Sequence, residues 1–169
     1  IDRLDDMLSS ILTFAASRPT QVEPFPITEL LKQIEEMLHA YAENKKLELN
    51  FLGFEQSATV KADRNKLQQA LLNVLKNACE HAPEKSEVRV VVRAKPKHIH
   101  VAITNQGEPI PEEMQKRLFE PFFTTKKGGT GLGLPTTRKL MQEMGGEVEL
   151  YSDTENGTTV TLILAKDDS

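Results

Sequence analysis

The order of periodicities along the chain predicts an α+β domain. Its form is a two-layer sandwich, in which a mixed, mostly antiparallel sheet is covered by helices on one face and preceded by one helix. Three observations carry this. Segments that alternate or are rich in β-formers (47–52, 57–62, 87–94, 98–105, 147–151 and 158–164) come mostly in runs. Stretches with helical apolar spacing separate the runs, without the strict strand–helix–strand alternation that builds a parallel sheet. Two short turn sequences, Lys95-Pro96-Lys97 and Glu155-Asn156-Gly157, join neighbouring strands into hairpins.

In chain order, Ile1, Leu4, Leu8 and Ile11, followed by Phe14 and Ala15, have the spacing of a helix seam. A partner helix or the rest of the same domain would satisfy that seam equally, since fewer than three heptads are visible. Arg18 and Pro19 end the helix. The chain opens inside this pattern with no initiator Met, which gives the expectation that it is cut from something longer, with 1–19 a helical appendage and 20–169 the domain. Pro24 and Pro26 make the lead-in extended, and Thr28 starts a helix with Leu30, Leu31, Ile34, Met37, Leu38 and Tyr41 on one side. After the strands at 47–52 and 57–62, Asp63 caps a long helix from Asn65 to about His81. Leu67, Ala70, Leu71, Val74, Leu75 and Ala78 are its apolar face, and Pro83 stops it. The hairpin 87–105 follows, then residues 106–131, which hold Gly, Pro and scattered charge without sustained periodicity and read as a long connector of the lid type. Leu132 to Met144 is helical and Gly145-Gly146 ends it. That helix and the final hairpin are expected to pack on the sheet.

Composition narrows the function. The 169 residues carry a net charge of −4, 38% hydrophobic and 27% charged side chains, 5% aromatics and no Trp. A mildly acidic chain with few aromatics lacks the field and stacking platforms of nucleic-acid binders. No stretch approaches the roughly 18 apolar residues of a membrane span, so no membrane contact is expected. The lone Cys79, with no C-x-x-C pair and no signal-peptide pattern, gives the expectation of a reducing, cytoplasmic setting.

Four features of the second half point to chemistry. At about 100° per residue, Gln69, Asn73, Asn77 and Glu80 fall within one stripe opposite the leucines. Such amide and carboxylate oxygens are the hard donors that hold Mg²⁺ alongside substrate phosphates, although a solvated helix face has the same pattern. The segment Asn105-Gln106-Gly107 ends a strand with a polar side chain and then a missing Cβ, a geometry that suits a flat nucleobase and also an ordinary turn. Phe119, Phe122 and Phe123 crowd one loop, and their exposure would be costly, so they should anchor it to the domain, although a contact with a partner would cover them equally. Finally, Lys126-Lys127-Gly128-Gly129-Thr130-Gly131-Leu132-Gly133 runs into a helix with Pro135 in its first turn. Backbone amides there can turn toward phosphate, with the helix N-terminus and two lysines adding positive charge. The loop is neither a Walker loop nor a dinucleotide fingerprint, because the former's spacing and the latter's β-α-β setting are absent.

In this order the four features resemble the boxes of the histidine protein kinase catalytic domain, within the superfamily of gyrase, heat-shock chaperone, histidine kinase and MutL ATPases. Over roughly 22–165, QALLNVLKNACEHAP is similar to its asparagine box, ITNQGEPIP to its first glycine box, LFEPFFTTK to its phenylalanine box and GTGLGL to its second. The phenylalanine box favours a histidine kinase, and a sporulation-type kinase is suspected. The resemblance implies the Bergerat ATP-binding fold, with ATP and Mg²⁺ as cofactors and 106–131 as ATP lid. It implies Asn77 as metal ligand and Asn73 near the phosphates, the two forming the catalytic pair. It implies His81 at the ribose or base, Asn105 and Gly107 at adenine, and Lys126, Gly129, Thr130, Gly131, Leu132 and Gly133 around the phosphates. Residues 1–19 would be the second helix of a dimerization hairpin, and the acceptor histidine would lie on a first helix absent from this sequence.

The implied function is γ-phosphoryl transfer from Mg-ATP to that histidine, with a response regulator as later acceptor and a homodimer in the full-length protein, the chain being either wholly cytoplasmic or the cytoplasmic part of a membrane-anchored sensor. Two residues depart from the pattern. Asn105 stands where the family usually has an aspartate, and Glu80 where it often has Lys or Arg. A carboxylate there would repel phosphate unless it turns away, so Glu80 is left out of the ligand set. These departures keep open a nucleotide-holding scaffold that does not transfer phosphate, and an anti-sigma-factor-like serine kinase is the alternative within the fold.

Overall fold

A computed structural model describes residues 2–16, 18–54 and 58–168. Helix α1 (Asp2–Ala15) leads into β1 (Glu23–Pro26), α2 (Ile27–Asn44), β2 (Glu48–Leu52), β3 (Thr59–Ala62) and α3 (Arg64–His81). There follow β4 (Glu87–Ala94), β5 (His98–Asn105), α4 (Glu112–Arg117), α5 (Gly133–Glu143), β6 (Glu147–Asp153) and β7 (Gly157–Lys166). The strands make one seven-stranded sheet in the order β1-β3-β7-β5-β4-β2, with β6 also paired to β7. All pairings are antiparallel except β2 with β4.

Alternation dictates the two layers. Val88, Val90 and Val92 of β4, Ile99, Val101 and Ile103 of β5, and Val160, Leu162 and Leu164 of β7 are buried on one face. The partly exposed His100, Thr104 and Thr159 point the other way. The buried face receives Leu30, Leu31 and Ile34 of α2, Leu67, Leu71 and Leu75 of α3, and Met141 of α5. Asp63 caps α3 as its position demands: Oδ1 accepts from the Lys66 amide at 3.1 Å, and Oδ2 from the Gln21 amide at 2.9 Å.

Four features differ from the sequence-based expectation. The extended proline segment is a true strand, β1, tolerated because it lies at the sheet edge where missing N–H donors disturb no second ladder. The last hairpin, expected on the sheet, lies within it: one edge of β7 pairs β5, while the other is shared by β6 and β3. The connector contains α4, a short helix with no buried residue and therefore no apolar period to betray it. Met37, placed with the apolar side of α2, is exposed. The strand candidate's Ser57 and the seam's Ile1 lie outside the described residues.

Helix α1 does not fold onto the domain along its length. Leu4, Leu8 and Leu12 are 70%, 54% and 62% exposed. Its end is tied down by hydrogen bonds: Lys139 Nζ of α5 donates to the carbonyls of Phe14 (2.6 Å) and Ala16 (3.0 Å). The buried Lys66 donates to the Arg18 carbonyl, Thr20 Oγ1 and Glu143 Oε2 at 2.9, 2.8 and 2.6 Å. Among the described residues no helix is long and apolar enough to cross a membrane.

Candidate functional site

Between α3, the inner ends of β5 and β7, and the segment 118–131 lies a cavity of about 600 Å³, a size that suits a small organic ligand. It collects side chains far apart in sequence because α3 crosses the sheet with its leucines inward, which turns Asn73, Asn77 and Glu80 toward the rim. Gln69, one turn earlier on the same stripe, does not line it.

The floor is apolar, with Ile103, Leu150 and Val160 below and Ile110 and Leu134 at the sides. Asn105, 6% exposed at the end of β5, is the polar group set into this floor. Its Nδ2 donates to the Gln106 carbonyl at 2.9 Å, which orients the amide and leaves Oδ1 as the acceptor. Thr158 stands opposite in the β5–β7 register and lines the same pocket. An acceptor in an apolar slot fits one edge of a heteroaromatic ring.

Gly107 does not line the cavity. Its φ is +139°, and a Cβ there would stand 2.8 Å from the His81 carbonyl oxygen, so the glycine permits β5's exit to lie against the end of α3. His81 does line the pocket, and its pKa is lowered, first by loss of water around the ring and then by the Lys126 ammonium, with Glu80 opposing. The neutral ring is a donor and an acceptor at once.

The opposite wall is the loop. Lys126 Nζ donates to Asn77 Oδ1 and to Glu80 Oε2, so the carboxylate that seemed out of place in the sequence faces a cation and not the cavity alone. Thr124 Oγ1 accepts from the Lys126 amide at 3.0 Å, and the Lys126 carbonyl accepts from the Gly129 amide at 3.2 Å, which closes a small turn. Thr130 Oγ1 takes the Leu132 amide at 3.3 Å. The amides of Gly129 and Leu132 are therefore partnered within the loop. Gly129, Thr130, Gly131 and Gly133 line the cavity, whereas Leu132 is buried beneath it. Gly131 is irreplaceable on geometry: with φ +70°, a Cβ would stand 2.5 Å from the Phe122 carbonyl carbon.

The phenylalanines divide. Phe119 and Phe123 are half-buried, with Arg138 and Arg117 guanidinium carbons 5.3 and 4.2 Å from their ring centres. Phe122, at φ +70°, has a side chain 58% exposed, and it is the backbone that holds it, its amide donating to the Gly131 carbonyl at 3.1 Å. Sequence reasoning also missed the clasp that holds the loop's stem. Ser152 Oγ accepts from the Ile110 amide at 2.9 Å, and Gln115 Nε2 donates to the Ile110 and Ser152 carbonyls at 2.8 and 3.0 Å. No local signal marks a serine in a strand as a lid anchor. Asp6 of α1 also reaches the cavity wall.

Residues 62–168 match the family described as histidine kinase-, DNA gyrase B-, and HSP90-like ATPase. Sporulation kinase C of Bacillus subtilis (strain 168) is 30% identical over 166 residues, 97% of this chain and 39% of that kinase. The catalytic domain of histidine kinase ThkA superposes with a TM-score of 0.79 at 30% identity, covering 86% of this chain and 96% of that one. ThkA in complex with the response regulator protein TrrA superposes with a TM-score of 0.84 at 27% identity, over 98% of this chain and 48% of that one. The chain spans between 22% and 39% of the length of five curated relatives, all sporulation kinases.

Proposed function

Because the chain belongs to the histidine kinase-, DNA gyrase B- and HSP90-like ATPase family, in its histidine kinase branch, we propose that it binds Mg-ATP in the α3–loop cavity and presents the γ-phosphate to a histidine. The observation that carries this is the meeting of Asn77, Lys126 and the Gly129–Gly133 loop at one end of a pocket whose other end holds the Asn105 acceptor.

Each residue then has a task set by its chemistry. Asn105 Oδ1 accepts from the adenine amino group, while Ile103, Leu150 and Val160 exclude water from the ring. His81 flanks the ribose or base, and Asn73 lies toward the phosphates. The amides of Thr130, Gly131 and Gly133 and the Lys126 ammonium meet the phosphate oxygens. Asn77 Oδ1 is the metal donor: it already accepts from a cationic group, and a single amide oxygen suits an ion that keeps most of its waters. Bound there, Mg²⁺ supplies charge neutralisation of the phosphates. Phosphoryl transfer rests on positioning and charge, so this domain contributes no nucleophile.

The acceptor would come from a dimerization hairpin of which α1 is the second helix, consistent with its exposed Leu4, Leu8 and Leu12. The full-length protein would then be a cytoplasmic or membrane-anchored homodimeric sensor that passes the phosphoryl to a response regulator. Phosphohistidine chemistry makes the test specific. With γ-labelled ATP the chain alone stays unlabelled, because His39, His81, His98 and His100 lie on α2, α3 and β5 and none on α1. Adding the parent protein's dimerization hairpin produces an acid-labile, base-stable label. Asn77→Ala, which keeps the buried face of α3 intact, lowers Mg-dependent ADP affinity by about 100-fold or more in calorimetry. Unchanged affinity overturns the assignment.

A further inference from the structure

Asn77 Oδ1 carries two assignments that cannot both hold at once. In the structure it accepts from Lys126 Nζ, which also donates to Glu80 Oε2; in the reading above it ligates a divalent cation. An ammonium and a metal ion sharing one amide oxygen would stand within about 4 Å of each other in a cleft of reduced dielectric, where their repulsion is strong.

We propose that Lys126 and the metal compete for Asn77 Oδ1, and that Glu80 is the positioning residue that holds the lysine in the competing place. The Glu80–Lys126 pair is thus a latch on the lid, opened when nucleotide and metal bind together. This rests on the reading of the cavity as the Mg-ATP site.

Three observations support it. Asn77 and Glu80 are three residues apart on α3, so their side chains lie side by side and one ammonium can reach both. Lys126 is 49 positions from Asn77 in sequence, so the contact joins the core helix to the lid and spans the cavity mouth. The turn around Lys126 is closed by its own bonds through Thr124 Oγ1 and the Gly129 amide. The side chain can therefore swing from Asn77 to a phosphate without the backbone being rebuilt. That swing also resolves the oddity of Glu80. The lysine is the phosphate-seeking cation that the asparagine box lacks at position 80, and the carboxylate keeps it at the site until phosphate offers a better partner.

The test has two arms. In the first, hydrogen exchange is followed over 120–131 in the protein without nucleotide or metal. Glu80→Gln and Lys126→Met each raise exchange, and the double variant raises it no further than either alone. Exchange unchanged in both single variants, or additive in the double, overturns the latch. In the second arm, ADP binding is titrated with Mg²⁺. Glu80→Gln lowers the Mg²⁺ concentration at half-maximal binding about fivefold, because the competitor is no longer held. A higher midpoint would make Glu80 a support of the metal and overturn the proposal. If the wild-type protein binds no Mg-ADP, the nucleotide reading itself fails, while the first arm still reads the latch in the protein alone.

Discussion

Helix α3 and the segment 118–131 face each other across the same cavity, yet they are held in opposite ways. On α3, Leu67, Leu71 and Leu75 are fully buried against the sheet, so Asn73 and Asn77 project from a body fixed by apolar packing. The segment opposite leaves Phe122 exposed, is joined to α3 through one lysine and to α5 through Phe119 against Arg138, and is followed by the buried Leu132, while the stem before it is held to β6 through Gln115 and Ser152. Apolar burial gives a site its fixed geometry, whereas a few polar contacts leave a segment near the low end of local stability. Under the proposed function, base recognition and the metal donor would stand on the first kind of structure, and phosphate handling on the second. A nucleotide can then order the loop without deforming the wall that selects it.

Truncations give the widest separation of the two regions. Leu71→Ala opens a cavity in the α3–sheet interface and should lower unfolding free energy by about 2–5 kcal/mol. Phe122→Ala should change it by no more than about 0.5 kcal/mol, since the ring is exposed and little of it leaves water on folding. Denaturant titration of both variants decides this. Comparable losses would mean that the loop is as much core as the helix.

The next effect falls on the fixed wall alone. Asn105→Ala removes the acceptor from an apolar slot and should weaken ADP binding by about 1–3 kcal/mol, while Mg²⁺ dependence stays as in the wild type. Asn105→Asp restores an acceptor, with a charge, and should bind better than the alanine variant. Calorimetry of both variants over a series of Mg²⁺ concentrations measures the affinity and its Mg²⁺ dependence. If neither matters, the base is recognised elsewhere.

How much of this was legible in the sequence follows the same division. The apolar face of α3, its Asp63 cap and the alternation of β4 and β5 are local patterns, and each element forms where its pattern stands. The centrality of β7 is not local: a strand's neighbours are chosen by long-range pairing, and a period of two says only which face is buried. The fate of Phe122 was hidden because its left-handed φ, at a point where its backbone lies close against Gly131, is not a property that residue type or spacing announces. Glu80 was visible only as a misfit. Its partner lies 46 residues away on a segment with no periodicity, and no spacing rule connects a helix rim to a lid.

The smallest effect reads the contact between the two regions through His81. Its pKa is below the ordinary value because the part of the ring in the cleft has lost water and because Lys126 is near, while Glu80 raises it. The two neighbours belong to the two regions, one to the loop and one to the helix, and they act with opposite signs. Lys126→Met should move the His81 titration up toward its ordinary value, and Glu80→Gln should move it further down. Both shifts are read from the imidazole resonances by NMR. Linkage fixes the sign for stability: a histidine whose folded pKa is lowered binds fewer protons folded than unfolded. Its contribution is therefore absent as a penalty above the unfolded value of about 6.5 and appears as pH falls toward and through the folded value. The wild type should lose stability relative to His81→Gln as pH is lowered across that window, and the loss should be smaller in the Lys126→Met background. If both neighbour variants shift the titration in one direction, or neither shifts it, the loop does not lie against the helix in solution as it does here.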